Sequence, residues 1–292
     1  MIKENKETRY VDSLLPPEMA KRAEDLGVAK SSMEFSRLFV LSVLAGAFIG
    51  FGAVLATVTA TGADVVLSYG IARLLTGFVF SLGLVLVVIG GAELFTGNNL
   101  IVMAWANRRV ATVQMLRNWL IVFLGNFVGA AGLAAAVFVS GHYLFGRGQV
   151  GATALLIASG KSGLGFFEAA MLGILCNVLV CLAVWMSYSG RTTIDKMAAV
   201  VPPITAFVAL GFEHSIANMY FIPAGLLLKW FGPETLIIQS KLLGAQPELI
   251  TVERFLLGNL VPVTIGNVIG GAVLVGIVYW FVYLREPEGT DE

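Results

Sequence analysis

The chain has 292 residues, of which 57% are hydrophobic and only 13% are charged. A soluble globular protein carries about 25% charged residues, so this composition is too apolar to build a water-exposed surface. Half of the 19 basic and 19 acidic residues fall within residues 1–37 and 285–292, which leaves the middle of the chain almost uncharged. The composition therefore excludes soluble enzymes and predicts a protein with several membrane-spanning segments.

Four apolar segments have the length of single membrane-spanning helices and contain no Asp, Glu, Lys or Arg: 38–63, 118–146, 169–190 and 255–284. Two further segments, 71–105 and 197–228, are each too long for one straight span and too short for two. Each has glycine and an ionisable residue near its middle, which is typical of a discontinuous membrane helix that lines a cavity. The sequence thus predicts an all-α membrane protein with six spans, the second and fifth of them broken.

Basic residues predict the orientation of these spans. If the N-terminus lies inside the cell, the inner segments carry 13 Lys and Arg residues and the outer segments carry six. This excess predicts cytoplasmic termini in the inner membrane, with a cytoplasmic segment at 1–37, a channel domain at 38–284 and a cytoplasmic tail at 285–292. Residues 14–28 have an amphipathic pattern and predict a helix that either rests on the membrane or plugs the cytoplasmic mouth.

The two broken segments resemble each other. The pattern G-x-E-x-x-x-x-N occurs at 91–98 and again 120 residues later at 211–218. The spans that follow match at an offset of 141 residues, where Asn118, Gly125, Asn126 and Gly129 correspond to Asn259, Gly266, Asn267 and Gly270. Each repeat holds three spans, an odd number, so the two halves are expected to cross the membrane in opposite directions. Such inverted repeats place a permeation site near the bilayer midplane.

We expect His214 to have a functional role, because it is an ionisable residue at the break of the fifth helix in an otherwise apolar segment. Thr96 lies within the corresponding pattern of the first repeat, where it either caps the second half-helix or offers a hydroxyl to the same point. Glu93 and Glu213 would repel an anion, so we expect them to accept hydrogen bonds from backbone N–H groups freed at the breaks. The asparagines, including Asn98 and Asn218, are expected to join helices through hydrogen bonds.

Lys161 precedes the fourth span and is either a charge on a loop or a vestibule charge that attracts anions. Asn177 follows on that span and is a candidate hydrogen-bond donor to the permeating solute. No metal-ligand cluster, catalytic triad or nucleotide-binding motif appears, so we expect no cofactor and no enzymatic activity. The chain also lacks a basic patch with interleaved aromatic residues, which argues against a nucleic-acid partner.

Four motifs together resemble the formate/nitrite transporter family, and the resemblance extends over about residues 14–285: AELFTG at 92–97, GNFVG at 125–129, MSYSGR at 186–191 and GFEHSIANM at 211–219. The resemblance implies homopentamers of aquaporin-like protomers, each with its own pore in the lipid bilayer. It also implies that His214 is the central pore histidine with Thr96 as its hydrogen-bonding partner. Asn177 and Lys161 would be further polar residues of the pathway. The implied hydrophobic constrictions are formed by Phe80, Leu84, Leu94, Val180 and Phe207.

The leading hypothesis is a channel for formate and similar small monovalent anions. The permeating species is either the anion or the neutral acid, since desolvating a carboxylate in an apolar slit costs several kcal/mol. In the second case His214 is expected to relay a proton. Two alternatives are a nitrite or hydrosulfide channel on the same scaffold and a neutral-solute pore of the water or glycerol type. The latter expects an Asn-Pro-Ala tripeptide at both half-helix starts, and this chain has none.

Overall fold

In a computed structural model, which describes residues 13–285, the regular elements are helices. Short turns at Ala63–Val66, His142–Leu144 and Pro247–Leu249 join the longer helices. The helices are α1 (Pro16–Ser31), α2 (Phe35–Ala60), α3 (Tyr69–Gly90), α4 (95–106), α5 (Thr112–Val139), α6 (Gln149–Ser162), α7 (Phe166–Ser187), α8 (Thr193–Ala209), α9 (Ser215–Phe231), α10 (Glu234–Leu242) and α11 (Arg254–Tyr283). Helix α4 consists of three consecutive short pieces.

Within the described residues, five helices are long and apolar enough to cross a membrane: α2, α3, α5, α7 and α11. Four of them coincide with the predicted single spans, and α3 forms the first part of the predicted broken segment at 71–105. Helices α8 and α9 have 17 residues each and together cover the other predicted broken segment. The outward faces of the long helices carry exposed Leu, Val, Ile and Phe side chains, as expected for contact with lipid or a neighbouring subunit.

Both helix breaks begin at a glycine in the left-handed region. Gly91 (φ 73°) ends α3, and Gly211 (φ 77°) lies just beyond the end of α8. A side chain at either position would be strained, so glycine allows the chain to leave the helix there. Three residues then follow without helical hydrogen bonding before α4 and α9 begin, at 92–94 and 212–214. The breaks therefore lie where the repeated G-x-E pattern predicts them.

Small residues allow the long helices to approach closely. Helix α2 packs against α5 where Gly129 faces the carbonyl of Val43, and α7 packs against α11 where Gly270 faces the carbonyl of Ile174. A Cβ atom on either glycine would overlap that carbonyl oxygen. These are the small-residue contacts expected between membrane helices, and they hold the two breaks in the centre of the molecule.

Helix α1 lies against α4. Its apolar face, which includes Met19, Ala20 and Ala23, is buried against Leu100 and Met103. The buried side chain of Glu24 accepts hydrogen bonds from Lys21, Asn107 and Arg109, the last of which also forms an ion pair with Asp25. Most of the apolar face predicted for residues 14–28 is thus covered by protein, while Leu15 at its start is exposed.

Candidate functional site

Three cavities follow one another through the middle of the helix bundle. The central chamber has a volume of only about 10 Å³ and is lined by Ile49, Phe80, Leu84, Leu94, Val180, Ile204, Phe207 and His214. A cavity of about 230 Å³ beside α1, here the proximal vestibule, shares Leu84 and Leu94 with the chamber. A cavity of about 320 Å³ on the other side, the distal vestibule, shares Phe80, Phe207 and His214. The shared residues therefore mark the two boundaries of the chamber.

Apolar side chains form both boundaries. The rings of Phe80 and Phe207 meet edge to face, with centroids 5.7 Å apart and an interplanar angle of 86°. Leu84 and Leu94 form the opposite boundary, and Val180 lines the chamber between the two boundaries. The structure brings together all five residues predicted to form constrictions. A chamber of this size and polarity cannot hold a hydrated ion, so any solute that passes must lose its water.

Among the described residues that line this chamber, His214 makes the one hydrogen bond between two side chains, and its partner is Thr96. Nδ1 of His214 accepts a hydrogen bond from the Ala217 N–H at 3.1 Å and caps the start of α9. In a neutral imidazole the other nitrogen then carries the hydrogen, so Nε2–H donates to Thr96 Oγ1 at 3.0 Å. His214 is 3% exposed and Thr96 is fully buried. The hydroxyl of Thr96 thus bonds to His214 and caps no helix.

Two asparagines bond the N–H groups that the breaks leave free. Asn126 Oδ1 accepts from the Phe95 N–H, and Asn267 Oδ1 accepts from the Ser215 N–H, each at 2.9 Å. The amide groups of the same asparagines donate to the backbone carbonyls of Glu93 and Glu213. Each break is therefore clamped from both sides by one asparagine of the next long helix, Asn126 of α5 or Asn267 of α11. The side chains of Thr96 and His214 meet between the two clamped breaks.

The carboxylates bind lysine and asparagine side chains, which corrects the expectation that they accept from backbone N–H groups. Glu93 Oε2 accepts from Lys30 Nζ at 3.0 Å and from Asn98 Nδ2 at 2.8 Å. Glu213 accepts from Lys161 Nζ at 2.7 Å and from Asn218 Nδ2, also at 2.7 Å. The asparagines are joined in turn to Asn118 and Asn259. The two breaks thus carry equivalent networks, each built around one buried carboxylate.

Lys161 lies inside a helix, α6, rather than on a loop. Its ammonium group lines the distal vestibule, where it forms the ion pair with Glu213 and approaches the Phe221 ring to 5.4 Å from the centroid. The positive charge of Lys161 is therefore compensated by a carboxylate in the same cavity. Sequence reasoning did not anticipate this pairing.

Asn177 lies outside the three cavities. It is fully buried, and its amide donates to the carbonyl of Asn267 at 2.6 Å and to Asn99 Oδ1 at 2.8 Å, with a longer contact to the Thr96 carbonyl. These bonds connect the first break to α11. In this arrangement Asn177 positions the backbone behind Thr96 and does not face the path.

Two cations of the vestibules were missed by sequence reasoning. Lys30 comes from α1 and repeats the role of Lys161, and a Lys-Ser dipeptide occurs at both positions, 131 residues apart. Extending the repeat toward the N-terminus would have found it. Arg73 of α3 donates to the carbonyls of Val208 and Ala209 at the end of α8 and lines the distal vestibule. No sequence signal marks that contact.

Comparison with known proteins shows which proteins the chain is similar to. The profile of the formate/nitrite transporter family matches residues 17–281. The formate channel FocA of Escherichia coli K12 is 47% identical over 281 residues, which cover 95% of this chain and 97% of that protein. FocA of Haemophilus influenzae is 41% identical over 280 residues, with the same coverage of both chains. A solved pentameric formate channel with formate bound superposes with a TM-score of 0.77 and 39% identity, covering 86% of this chain and 98% of that one.

Proposed function

Because the chain belongs to the formate/nitrite transporter family, we propose that it is a transmembrane channel for formate and similar small monovalent anions. The observation that carries this proposal is the sequence of cavities. Two vestibules that contain charged side chains are separated by an apolar chamber of about 10 Å³, beside which a single imidazole–hydroxyl pair offers hydrogen bonds. The relatives are named channels, not enzymes, and the chain takes that class from its family.

His214 and Thr96 supply the polar contacts that a desolvated carboxylate or carboxylic acid needs in the chamber. The Nε2–H group can donate to an oxygen of the solute if its hydrogen bond to Thr96 breaks or becomes bifurcated. A neutral imidazole donates this hydrogen bond but does not give up the proton. Relay of a proton through His214 therefore requires Nδ1 to be protonated first, which breaks its bond to the Ala217 N–H. Proton-linked uptake and movement of the α9 start are coupled in this scheme.

The proposed architecture has six spans in two inverted three-helix repeats within residues 38–284. Its support is the equivalence of the two Lys–Glu–Asn networks and the two asparagine clamps. The excess of basic residues among inner segments supports cytoplasmic termini, with residues 1–37 and 285–292 on that side of the inner membrane. The proximal vestibule would then face the cytoplasm and the distal vestibule the outside. A homopentamer is proposed by similarity to the pentameric formate channel.

Flux measurements in proteoliposomes test the function directly. We expect labelled formate to enter faster than in protein-free liposomes, and stopped-flow water or glycerol flux to stay at the protein-free level. Competition by nitrite and by hydrosulfide ranks the alternative substrates of the same scaffold. Leu84→Trp, which fills the chamber, is expected to abolish formate entry. Leu82→Trp, two residues away on the exposed face of α3, is the matched control and is expected to conduct.

The proposal fails if formate entry in the wild-type liposomes equals that of protein-free liposomes. It also fails if Leu84→Trp conducts as well as Leu82→Trp, since the path would then not pass through the chamber. Faster entry of nitrite or hydrosulfide than of formate would assign the alternative substrate on the same pathway.

A further inference from the structure

The two vestibules differ in charge. The proximal vestibule is lined by two charged side chains, Lys30 and Glu93, which pair at 3.0 Å. The distal vestibule is lined by Lys161 and Glu213, which pair at 2.7 Å, and also by Arg73. Among residues 13–285, Arg73 forms no ion pair with a carboxylate. One positive charge is therefore left over in the distal vestibule and none in the proximal one.

Two backbone bonds hold the Arg73 guanidinium at the wall of the distal vestibule. Nε donates to the Ala209 carbonyl at 3.1 Å, and a terminal nitrogen donates to the Val208 carbonyl. Ala209 is the last residue of α8, so its carbonyl has no partner within the helix. These bonds use two of the five guanidinium N–H groups and leave the remaining three for another acceptor. Arg73 is only half-buried, so these donors are accessible from the cavity.

The helix ends at this break do not cancel the charge of Arg73. The C-terminus of α8 contributes a partial negative charge. The N-terminus of α9, which begins at Ser215, six residues after the last residue of α8, contributes a partial positive charge of about the same size. The full charge of the guanidinium thus remains close to the entrance of the chamber, since the distal vestibule also borders Phe207 and His214. A planar fork of donors beside a cavity suits a small planar anion.

We propose that Arg73 forms an anion-binding site in the distal vestibule and that this site gives the channel unequal apparent affinities on its two faces. The site takes small monovalent anions of the carboxylate type, which rests on the function proposed above. Anions that enter from the distal face are concentrated next to the chamber before they lose water. Anions that enter from the proximal face meet a Lys–Glu pair without net charge, so their local concentration beside the chamber is not raised. The Lys161–Glu213 pair holds the break in place and contributes no net charge.

The test measures formate flux from each face as a function of concentration. Proteoliposomes of uniform orientation, checked by cleavage of a C-terminal tag, carry wild type, Arg73→Gln, Arg73→Lys or Arg254→Gln. Arg254 is the matched control, because it also donates to a backbone carbonyl, that of Ser162, but does not line the vestibule. At low ionic strength we expect Arg73→Gln to raise the half-saturating concentration from the distal face about three- to fivefold and to leave the proximal face unchanged. Arg73→Lys keeps the positive charge, so its half-saturating concentration from the distal face is expected to stay close to that of wild type.

The salt dependence of formate flux provides a second measurement, which would not change if Arg73 had a purely structural role. The Debye length falls to about 10 Å at 0.1 M, so the advantage of wild type over Arg73→Gln on the distal face should shrink as salt is added. The inference is overturned if Arg73→Gln matches wild type on the distal face at low salt. It is equally overturned if Arg73→Lys and Arg73→Gln lose flux alike from both faces, which would assign Arg73 to capping α8 alone. If wild type itself carries no formate, the proposed function has failed, and the same curves with nitrite test the site separately.

Discussion

The side chains of Thr96 and His214 are 118 positions apart in the chain, yet Oγ1 and Nε2 lie 3.0 Å from each other. Each residue lies at its own helix break, and each break is clamped by an asparagine of the next long helix, α5 or α11. The contact thus joins the two halves of the molecule at the wall of an apolar chamber. Because Nδ1 of His214 is occupied by the Ala217 N–H, the bond to Thr96 also defines which nitrogen carries the hydrogen.

Replacing His214 by Asn separates its two roles. Asparagine is a good N-terminal cap, so α9 should keep its start and the protein should still assemble. The substituted side chain cannot take up a proton, so we expect proton-linked formate uptake to be abolished, as in His214→Phe. The measurement is formate entry into proteoliposomes with and without an inward proton gradient. Acid-stimulated uptake at the wild-type rate in His214→Asn would contradict a relay through this residue.

His214→Phe should additionally lose the cap of α9, which is worth about 1 kcal/mol. We therefore expect a lower unfolding temperature for His214→Phe than for His214→Asn in detergent. Equal unfolding temperatures would show that the Ala217 N–H finds another acceptor.

Shrinking the ring pair should widen the distal boundary of the chamber. Phe80→Ala or Phe207→Ala removes one partner of the edge-to-face contact, and an apolar gate excludes water only while it is narrow. We expect increased leak of water and of larger monocarboxylates such as lactate, measured by stopped-flow light scattering. Phe167→Ala is the control, since this ring is 83% exposed on the outer face of α7. Unchanged selectivity in both chamber variants would refute a gate at these rings.

Removing one member of a buried Lys–Glu pair should cost stability. Glu213→Gln leaves the Lys161 ammonium, 17% exposed, without its carboxylate in a part-buried site. We expect a loss of about 2–4 kcal/mol, seen as a lower unfolding temperature of the purified protein in detergent. Lys161→Met combined with Glu213→Gln should recover part of this loss, because no unpaired charge remains. A double variant less stable than Glu213→Gln would contradict charge compensation as the role of the pair.

Acid should loosen helix α1. Burial raises the pKa of Glu24, but hydrogen bonds from Lys21, Asn107 and Arg109 outweigh it and hold the pKa below its ordinary value of 4.5. The guanidinium of Arg109 likewise lowers the pKa of Asp25. A carboxyl whose pKa is depressed by folding stabilises the folded state above its ordinary pKa, and that stabilisation is lost as the pH falls through the lowered value. We therefore expect the hydrogen-exchange protection factors of α1 to decrease once the pH is lowered below about 4.5.

The corresponding variant is Glu24→Gln. It should show reduced protection of α1 already at neutral pH and a smaller further change on acidification, because one of the two titrating carboxyls is gone. Peptides from α2 in the same digest serve as the internal control. Wild-type protection that stays constant down to pH 3 would show that the apolar contacts of α1 suffice without the ion pairs.

The amino-acid sequence alone was enough to locate the apolar segments and the two helix breaks. These features are local: long runs without charge can be stable only in lipid or a protein core, and Gly91 and Gly211 adopt a backbone conformation that other residues avoid. The family resemblance was also enough to predict that His214 and Thr96 meet. The repeat by itself places both residues beside the two breaks but does not pair them, because Thr96 aligns with Ile216 and His214 aligns with Leu94.

The partners of the charged side chains, by contrast, depend on how the helices pack. The Lys30–Glu93 pair joins residues that are 63 positions apart in the chain, and the bond from Arg73 to the end of α8 spans 136 positions. Asn177 bonds to a backbone carbonyl and does not face the path. The physical reason is that a helix apolar on all sides has no polar face by which the sequence reveals its rotation about its own axis. Helix rotation decides whether a lone polar residue points at a cavity, at a neighbouring carbonyl or at lipid, and in this protein it is set by close glycine contacts between helices that are distant in sequence.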